Sequence, residues 1–153
     1  MNKERFLKAV KRSLFSGRVS ASQRKGMATK WKAFDAHGIS DPRWRAYMMA
    51  TSYHETGGAM IPVEEMGRGK GKPYGWKRKQ NGSIYVRPDK IYYGRGDVQL
   101  TWYENYERMG NVLGMPLLEQ PELMLDGDVS ARVLIEGMTG GISGRGDFTV
   151  AAL

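Results

Sequence analysis

The absence of cysteine is the feature that most constrains what this chain can fold into. Neither a disulfide framework nor a thiolate metal site can hold it together, so a hydrophobic core must do so alone. A chain of 153 residues, 41% of them hydrophobic, is long enough to bury one core and too short to favour two. We therefore expect a single domain over residues 1–153.

The N-terminal segment, residues 1–15, mixes basic and apolar residues at helical spacing. This pattern predicts an amphipathic helix and differs from the continuous apolar core of a signal peptide. No apolar stretch approaches the roughly 20 residues that span a bilayer. We expect no signal peptide and no membrane insertion.

Two further helices are predicted by their N-terminal caps. Ser20 followed three residues later by Gln23 is a capping-box pattern. Asp41 as N-cap and Pro42 at the first helical position begin the next helix. That helix should end at residues 56–58, Thr-Gly-Gly, which places Glu55 in its last turn.

Residues 59–93 lose the helical spacing. The glycine-rich stretch 59–80 is typical of a long functional loop. Residues 83–86 and 91–93 are β-prone and flank an Arg-Pro-Asp-Lys turn at 87–90, which predicts a small β-hairpin.

The last third returns to helical patterns. Thr101 with Glu104 forms a second capping-box pattern, and Asp128 has the features of another N-cap. After Gly137 the chain is rich in glycine and has no clear periodicity. The whole pattern indicates a mainly α-helical α+β domain.

The charge is strongly basic and unevenly placed. The formal net charge is +8; residues 1–32 carry ten Lys or Arg against Glu4, and residues 68–90 carry eight against Asp89. Such a distribution attracts polyanions. Nucleic acid, an anionic membrane and the bacterial cell wall all qualify, so charge alone does not choose among them.

Five motifs occur in an order that resembles the active-site framework of family 19 glycoside hydrolases. They are residues 54–58 (HETGG), 92–96 (YYGRG), 98–102 (VQLTW), 105–106 (NY) and 117–123 (LLEQPEL). The resemblance covers roughly residues 44–136. It implies a lysozyme-like domain whose cleft lies between the Glu55 helix and residues 92–105, with the hairpin beside it.

The resemblance makes Glu55 the general acid. A glycosidic oxygen leaves readily only once it is protonated, so the acid must hold its proton near neutral pH. The negative end of the helix dipole and desolvation by Trp44, Tyr53 and Trp102 would both favour the protonated carboxyl. We expect these aromatic side chains to surround Glu55.

An inverting glycosidase also needs a second carboxylate about 6.5–9.5 Å from the first, to activate water. Glu64 and Glu65 are the candidates, because they are the acidic residues between Glu55 and Asp89. We favour Glu64, since compact phage lysins resembling this chain carry their second glutamate at about that distance along the sequence. Glu65 stays open as the alternative and otherwise as a substrate-binding residue.

The resemblance also supplies a water-holding residue and a set of substrate-binding residues. Thr101 matches the Ser or Thr that holds the attacking water, although it could equally be a helix cap. The remaining expected substrate-binding residues are His54, Tyr93, Gln99, Trp102 and Asn105. For Tyr93 and Trp102 core packing is an open alternative. Arg95 is expected to be a structural brace.

We expect no cofactor and no metal site. Two histidines at unrelated positions and no cysteine leave no zinc-binding pattern. The glycine-rich residues 67–71 lack the Gly-Lys-Ser/Thr ending of a phosphate-binding loop.

Two departures from the family pattern favour the phage branch, which degrades peptidoglycan. Glu104 stands where chitinases commonly have Tyr, and Asp97 replaces the usual Pro, both expected near the substrate. After about residue 138 the chain looks shortened relative to the family.

The prediction is a peptidoglycan-degrading endolysin of the muramidase type, from a phage or prophage. It would be a monomer that binds bacterial peptidoglycan and no nucleic acid. It would accumulate in the host cytoplasm and act on the wall once a holin releases it. A chitinase is one alternative. The other is a non-catalytic protein whose basic loop, residues 70–79, binds cell wall or nucleic acid.

Overall fold

The computed structural model describes residues 2–86 and 89–140, and this part of the chain is mainly helical, as predicted. Its α-helices are α1 (Lys3–Ser13), α2 (Ala21–Ala36), α3 (Pro42–Glu55), α4 (Tyr103–Leu113) and α5 (Gly127–Thr139). Two short 3-10 helices, Pro73–Trp76 and Pro121–Leu125, lie in the connections.

Side-chain caps determine where α2 and α3 begin. The Ser20 hydroxyl accepts the backbone N–H of Gln23 at 3.1 Å, and the Gln23 side chain accepts the N–H of Ser20 at 2.8 Å. This confirms the capping box. The Asp41 carboxylate accepts the N–H of Arg43 at 2.8 Å and so fixes the start of the helix that ends in Glu55.

Two other predicted caps are wrong. Helix α4 follows Trp102, which makes no side-chain cap, while the Thr101 hydroxyl donates to a carbonyl two residues back. Helix α5 is capped by Asp126 and not by Asp128, because the Asp126 carboxylate accepts two N–H groups of the first turn. Both aspartates suit the positive end of a helix, so composition does not distinguish the cap from its neighbour.

The core is centred on α5, which packs against α2, α3 and α4. Val133 and Leu134 of α5 are completely buried, as are Phe34 of α2 and Met48 of α3. This packing holds α2 and α3 against α5. It thereby fixes the position of the C-terminal end of α3, where Glu55 lies.

A small antiparallel sheet is present, but its strands are not those of the predicted hairpin. Strand β1 (Val63–Glu64) pairs with β2 (Arg95–Gly96), with Val63 opposite Gly96 and Glu64 opposite Arg95. Within the described residues, neither 83–86 nor 91–93 forms a strand. The predicted turn at 87–90 falls partly outside the described residues.

Aromatic packing explains why the hairpin does not form. Tyr92 is completely buried, and its ring lies 5.3 Å from Tyr85 and 5.1 Å from Tyr106. Ile84 and Val86 are instead exposed at the surface. The backbone of the first β-prone segment bonds instead to residues 77–79, with the Tyr85 N–H donating to the Lys77 carbonyl at 3.0 Å.

Helix α1 lies on the surface of this core. Its apolar side packs through Phe6 against Trp31 at 5.4 Å between ring centroids, and none of its residues is fully buried. Among the described helices, none is long and apolar enough to cross a bilayer. The chain end on which the expected shortening falls, residues 141–153, lies outside the described residues.

Candidate active site

Glu55 is the last residue of α3, at the point where the chain turns away from the helix. Thr56 is the C-cap, and Gly57 and Gly58 follow with φ of 56° and 81°, a conformation that favours glycine. The Glu55 side chain is half-buried, and within the described residues it makes no hydrogen bond or ion pair. Its carboxyl group is therefore free to exchange a proton with a ligand.

Two aromatic residues expected around Glu55 lie elsewhere. The Tyr53 ring packs edge-on against Phe15, with 5.5 Å between centroids. Trp44 is 41% exposed and sits eleven residues earlier on the helix, about 16 Å along its axis. These two side chains therefore do not form the apolar surroundings that the sequence suggested.

Glu64 lies on β1 and is held by three neighbours. One oxygen, Oε1, accepts the Tyr93 hydroxyl at 2.6 Å and lies 3.9 Å from Nε of Arg95; the other, Oε2, accepts from Arg68 at 2.8 Å. The Tyr93 hydrogen bond is the main cause that lowers the pKa of Glu64 from its usual value, with Arg68 and Arg95 adding to it. Glu64 is therefore ionised at neutral pH and able to accept a proton.

Glu65 has a different set of partners. Its Oε1 accepts the Tyr74 hydroxyl at 2.8 Å, and its Oε2 accepts the backbone N–H of Gly94 at 3.0 Å. Its own N–H donates to the Gly94 carbonyl at 2.7 Å. Glu65 thus joins Tyr74 of the loop after β1 to Gly94, the residue before β2, which makes it a brace of the site.

Gly94 marks the place where several predicted site residues meet. A Cβ atom added there would lie 2.9 Å from Oε1 of Gln99, 3.3 Å from Oγ1 of Thr101 and 3.4 Å from Cβ of Glu65. The absence of a side chain at this position therefore lets the side chains of Gln99, Thr101 and Glu65 approach the Gly94 backbone closely.

Thr101 and its neighbours are joined by local hydrogen bonds. The Thr101 hydroxyl donates to the Gln99 carbonyl at 2.7 Å, which leaves its lone pairs able to accept. The Gln99 amide donates to the carbonyls of Val63 and Gly96, and Asn105 donates to the Thr101 carbonyl at 2.8 Å. Gln99 and Asn105 brace the site in this structure, and their contact with substrate stays a prediction.

Tyr93 and Trp102 are largely packed. Tyr93 is 8% exposed, and the guanidinium carbon of Arg95 lies 3.5 Å from its ring centroid. Trp102 is half-buried, and its ring meets Tyr74 edge-on at 5.2 Å. Arg95 braces this region, donating to the carbonyl of Ile91 and to the Tyr106 hydroxyl.

The His54 side chain is exposed and makes no hydrogen bond within the described residues. It therefore does not hydrogen-bond to Glu55, and its contact with substrate stays a prediction. A helix places neighbouring residues about 100° apart, so His54 and Glu55 point in different directions.

Sequence reasoning missed a buried ion pair between Lys30 of α2 and Asp97, the residue after β2. Asp97 is 0% exposed and so does not face a substrate as expected; Lys30 is 1% exposed. Burial lowers the pKa of Lys30, and the Asp97 carboxylate opposes that change. One signal was available, since Lys30 shares the buried face of α2 with Met27 and Phe34 at helical spacing.

Glu104, the other departure from the family pattern, also has a structural contact. Its Oε1 accepts the backbone N–H of Gln80 at 2.8 Å, which ties the long loop to α4. Among the described residues, no group of three or more His, Cys, Asp or Glu is placed to hold a metal ion.

The sequence matches a known family over most of its length. The family model described as chitinase class I matches residues 24–135. An Arabidopsis thaliana endochitinase is 37% identical over 94 residues, which cover 61% of this chain and 31% of the relative. An inactive chitinase-like protein of Hevea brasiliensis is 36% identical over 113 residues, covering 63% of this chain and 34% of that protein.

Solved structures give the same result. Chitinase C of Streptomyces griseus superposes with a TM-score of 0.57 and 29% identity, over 75% of this chain and 56% of that one. A bacterial family 19 chitinase gives a TM-score of 0.59 and 27% identity, over 86% and 66%. The chain spans about a third of the length of the curated relatives described above.

Proposed function

Because this chain belongs to the class I chitinase family of glycoside hydrolases, family 19, we propose that it hydrolyses β-1,4 bonds of an amino-sugar polymer. Glu55 protonates the leaving glycosidic oxygen, Glu64 activates a water molecule, and Thr101 orients that water. This division of tasks is that of an inverting mechanism, in which one carboxyl gives a proton while the other takes one.

The hydrogen bond from Tyr93 to Glu64 carries this proposal. It keeps the Glu64 carboxylate ionised, while the Glu55 side chain makes no hydrogen bond or ion pair among the described residues. Two carboxyl groups with different surroundings are what an acid and a base require. Glu65 is the weaker candidate for the base, because one of its oxygens binds the backbone N–H of Gly94, whereas both oxygens of Glu64 are bound by side chains alone.

For the substrate we propose peptidoglycan, cleaved by an endolysin of a phage or prophage. The net charge of +8 supports an anionic polymer, since chitin carries no charge and peptidoglycan carries carboxylates. Chitin is the second candidate, favoured by the endochitinases among the relatives.

Parallel digestion of purified peptidoglycan and chitin tests both statements. Mass spectrometry of the products identifies the new reducing end and hence the bond cut. We expect Glu55→Gln to lose activity by about a hundredfold or more, the usual effect of removing a general acid. Glu122→Gln, an exposed glutamate outside the site, serves as the control.

Two results would overturn the proposal. Full activity of Glu55→Gln would show that another group donates the proton. Absence of any digestion by the folded wild type would leave a binding function in place of catalysis.

A further inference from the structure

A strongly basic loop follows the candidate base directly. This loop, residues 66–79, contains six Lys or Arg and no Asp or Glu. It begins two residues after Glu64 and includes the 3-10 helix Pro73–Trp76. Of these six, only Arg68 contacts the candidate base, so the acid and base chemistry does not account for the remaining charge.

The loop has a fixed shape. The Tyr74 hydroxyl donates to Glu65 at 2.8 Å, and its ring packs on Trp102. Gly75 lies so close to the Gly69 carbonyl that an added Cβ would come within 1.8 Å of its oxygen. Because these contacts tie the loop to the candidate site and to itself, its backbone carries the exposed lysines beside that site.

Four of its cations have partners within the protein. Arg68 binds Glu64, Lys77 pairs with Asp89, and the others contact a carbonyl or a ring. Lys70 and Lys72 are exposed and have no partner within the described residues. Only Gly71 separates these two lysines in the sequence, and an anionic ligand that contacts both is attracted by two positive charges.

We propose that Lys70 and Lys72 bind carboxylate groups of the polymer substrate. Trp76, 63% exposed on the same loop, offers an apolar ring face to an adjacent sugar. The loop thereby selects an anionic amino-sugar polymer over an uncharged one. This inference rests on the proposed function, because it concerns the substrate of the same site.

Binding measured without turnover tests it. The full-length Glu55→Gln protein is sedimented with peptidoglycan freed of phosphate-bearing polymers, with the same material after carbodiimide amidation of its carboxyls, and with chitin. The test variant adds Lys70→Gln and Lys72→Gln. The matched control adds Lys8→Gln and Lys11→Gln, two exposed lysines of α1 and the same change in charge.

We expect the loop variant to bind untreated peptidoglycan about fivefold more weakly than its parent, the loss expected for two exposed ion pairs. The affinity of the α1 control should fall by less than about twofold. On amidated peptidoglycan and on chitin the loop variant should match its parent. Equal losses on all three materials, equal losses in loop and α1 variants, or no loss at all would overturn the inference. Failure of the catalytic proposal can be distinguished from these outcomes, because the wild-type protein would then bind peptidoglycan without digesting it.

Discussion

The Nζ atom of Lys30 lies 2.6 Å from Oδ1 of Asp97, and neither side chain is more than 1% exposed. The Ser52 hydroxyl donates to the same Oδ1 at 2.9 Å, and Lys30 also donates to the Met60 carbonyl. Ser52 lies one helical turn before Glu55, and Asp97 directly follows β2, the strand opposite Glu64. Through Ser52 the buried pair therefore connects the helix that carries the proposed acid to the sheet that carries the proposed base.

We predict that Lys30→Met lowers the free energy of unfolding by about 3–5 kcal/mol, because it leaves the Asp97 carboxylate buried without its cation. Urea unfolding followed by circular dichroism measures this change. A double variant, Lys30→Met with Asp97→Leu, should be more stable than Lys30→Met alone, since no charge then stays buried.

Lys32→Met is the control for that experiment, because Lys32 lies on the exposed face of the same helix. It should change the stability by less than about 0.5 kcal/mol. If Lys30→Met were as stable as Lys32→Met, the pair would contribute nothing and its connecting role would be refuted.

Glu64→Gln and Glu65→Gln should fail in different ways. The Glu64 variant loses the base, so we expect kcat to fall by about a hundredfold or more, a much larger loss than in the Glu65 variant, and some stability is lost with its charged contacts to Tyr93 and Arg68. The Glu65 variant weakens two hydrogen bonds of the brace, at a cost of about 1–3 kcal/mol in stability. Steady-state kinetics and thermal melting of the two variants measure these effects. A large loss of kcat in Glu65→Gln but not in Glu64→Gln would make Glu65 the base.

The sequence predicted the features that depend on local spacing. The caps Ser20 and Asp41 and the helix end after Glu55 are set by residues within one turn, and they lie where the pattern indicated. The order of the motifs likewise predicted the family, because members of the family share the arrangement of these segments.

Features that depend on contacts between distant segments were not predictable in this way. The sheet joins residues 63–64 to 95–96, and the buried pair joins Lys30 to Asp97. Local propensity at 83–86 and 91–93 favoured a hairpin, but burying the Tyr92 ring outweighed it. The hydrogen-bond partners that distinguish Glu64 from Glu65 also include residues distant in the sequence. The two adjacent glutamates could therefore not be told apart from the sequence alone.

Removing the Tyr93 hydroxyl should raise the pKa of Glu64. Its hydrogen bond is the largest cause that lowers this pKa below 4.5, so Tyr93→Phe moves the pKa back toward that value. A carboxylate with a lowered pKa in the folded protein stabilises it above pH 4.5, and that contribution is lost as the pH falls through the folded pKa.

Both the Glu64 carboxyl titration measured by NMR and the acidic limb of kcat/KM should therefore shift to higher pH in Tyr93→Phe. Tyr74→Phe removes a hydroxyl from Glu65 and should leave the Glu64 titration unchanged. An identical titration in wild type and Tyr93→Phe would contradict the assigned cause.

Gly94→Ala tests whether the close approach at Gly94 matters for activity. The new methyl group would lie 2.9 Å from Oε1 of Gln99 and 3.3 Å from Oγ1 of Thr101, so at least one of these groups must move. We expect a fall in kcat of about tenfold or more, since small displacements of positioned groups are costly, and a stability loss of about 1–3 kcal/mol. Gly127→Ala is the matched control, because its added methyl meets only the Thr29 side chain at 3.5 Å, an ordinary contact. If Gly94→Ala kept wild-type kcat and melting temperature, as Gly127→Ala should, activity would not depend on the position of Thr101. The proposed role of Thr101 in holding the water would then be refuted.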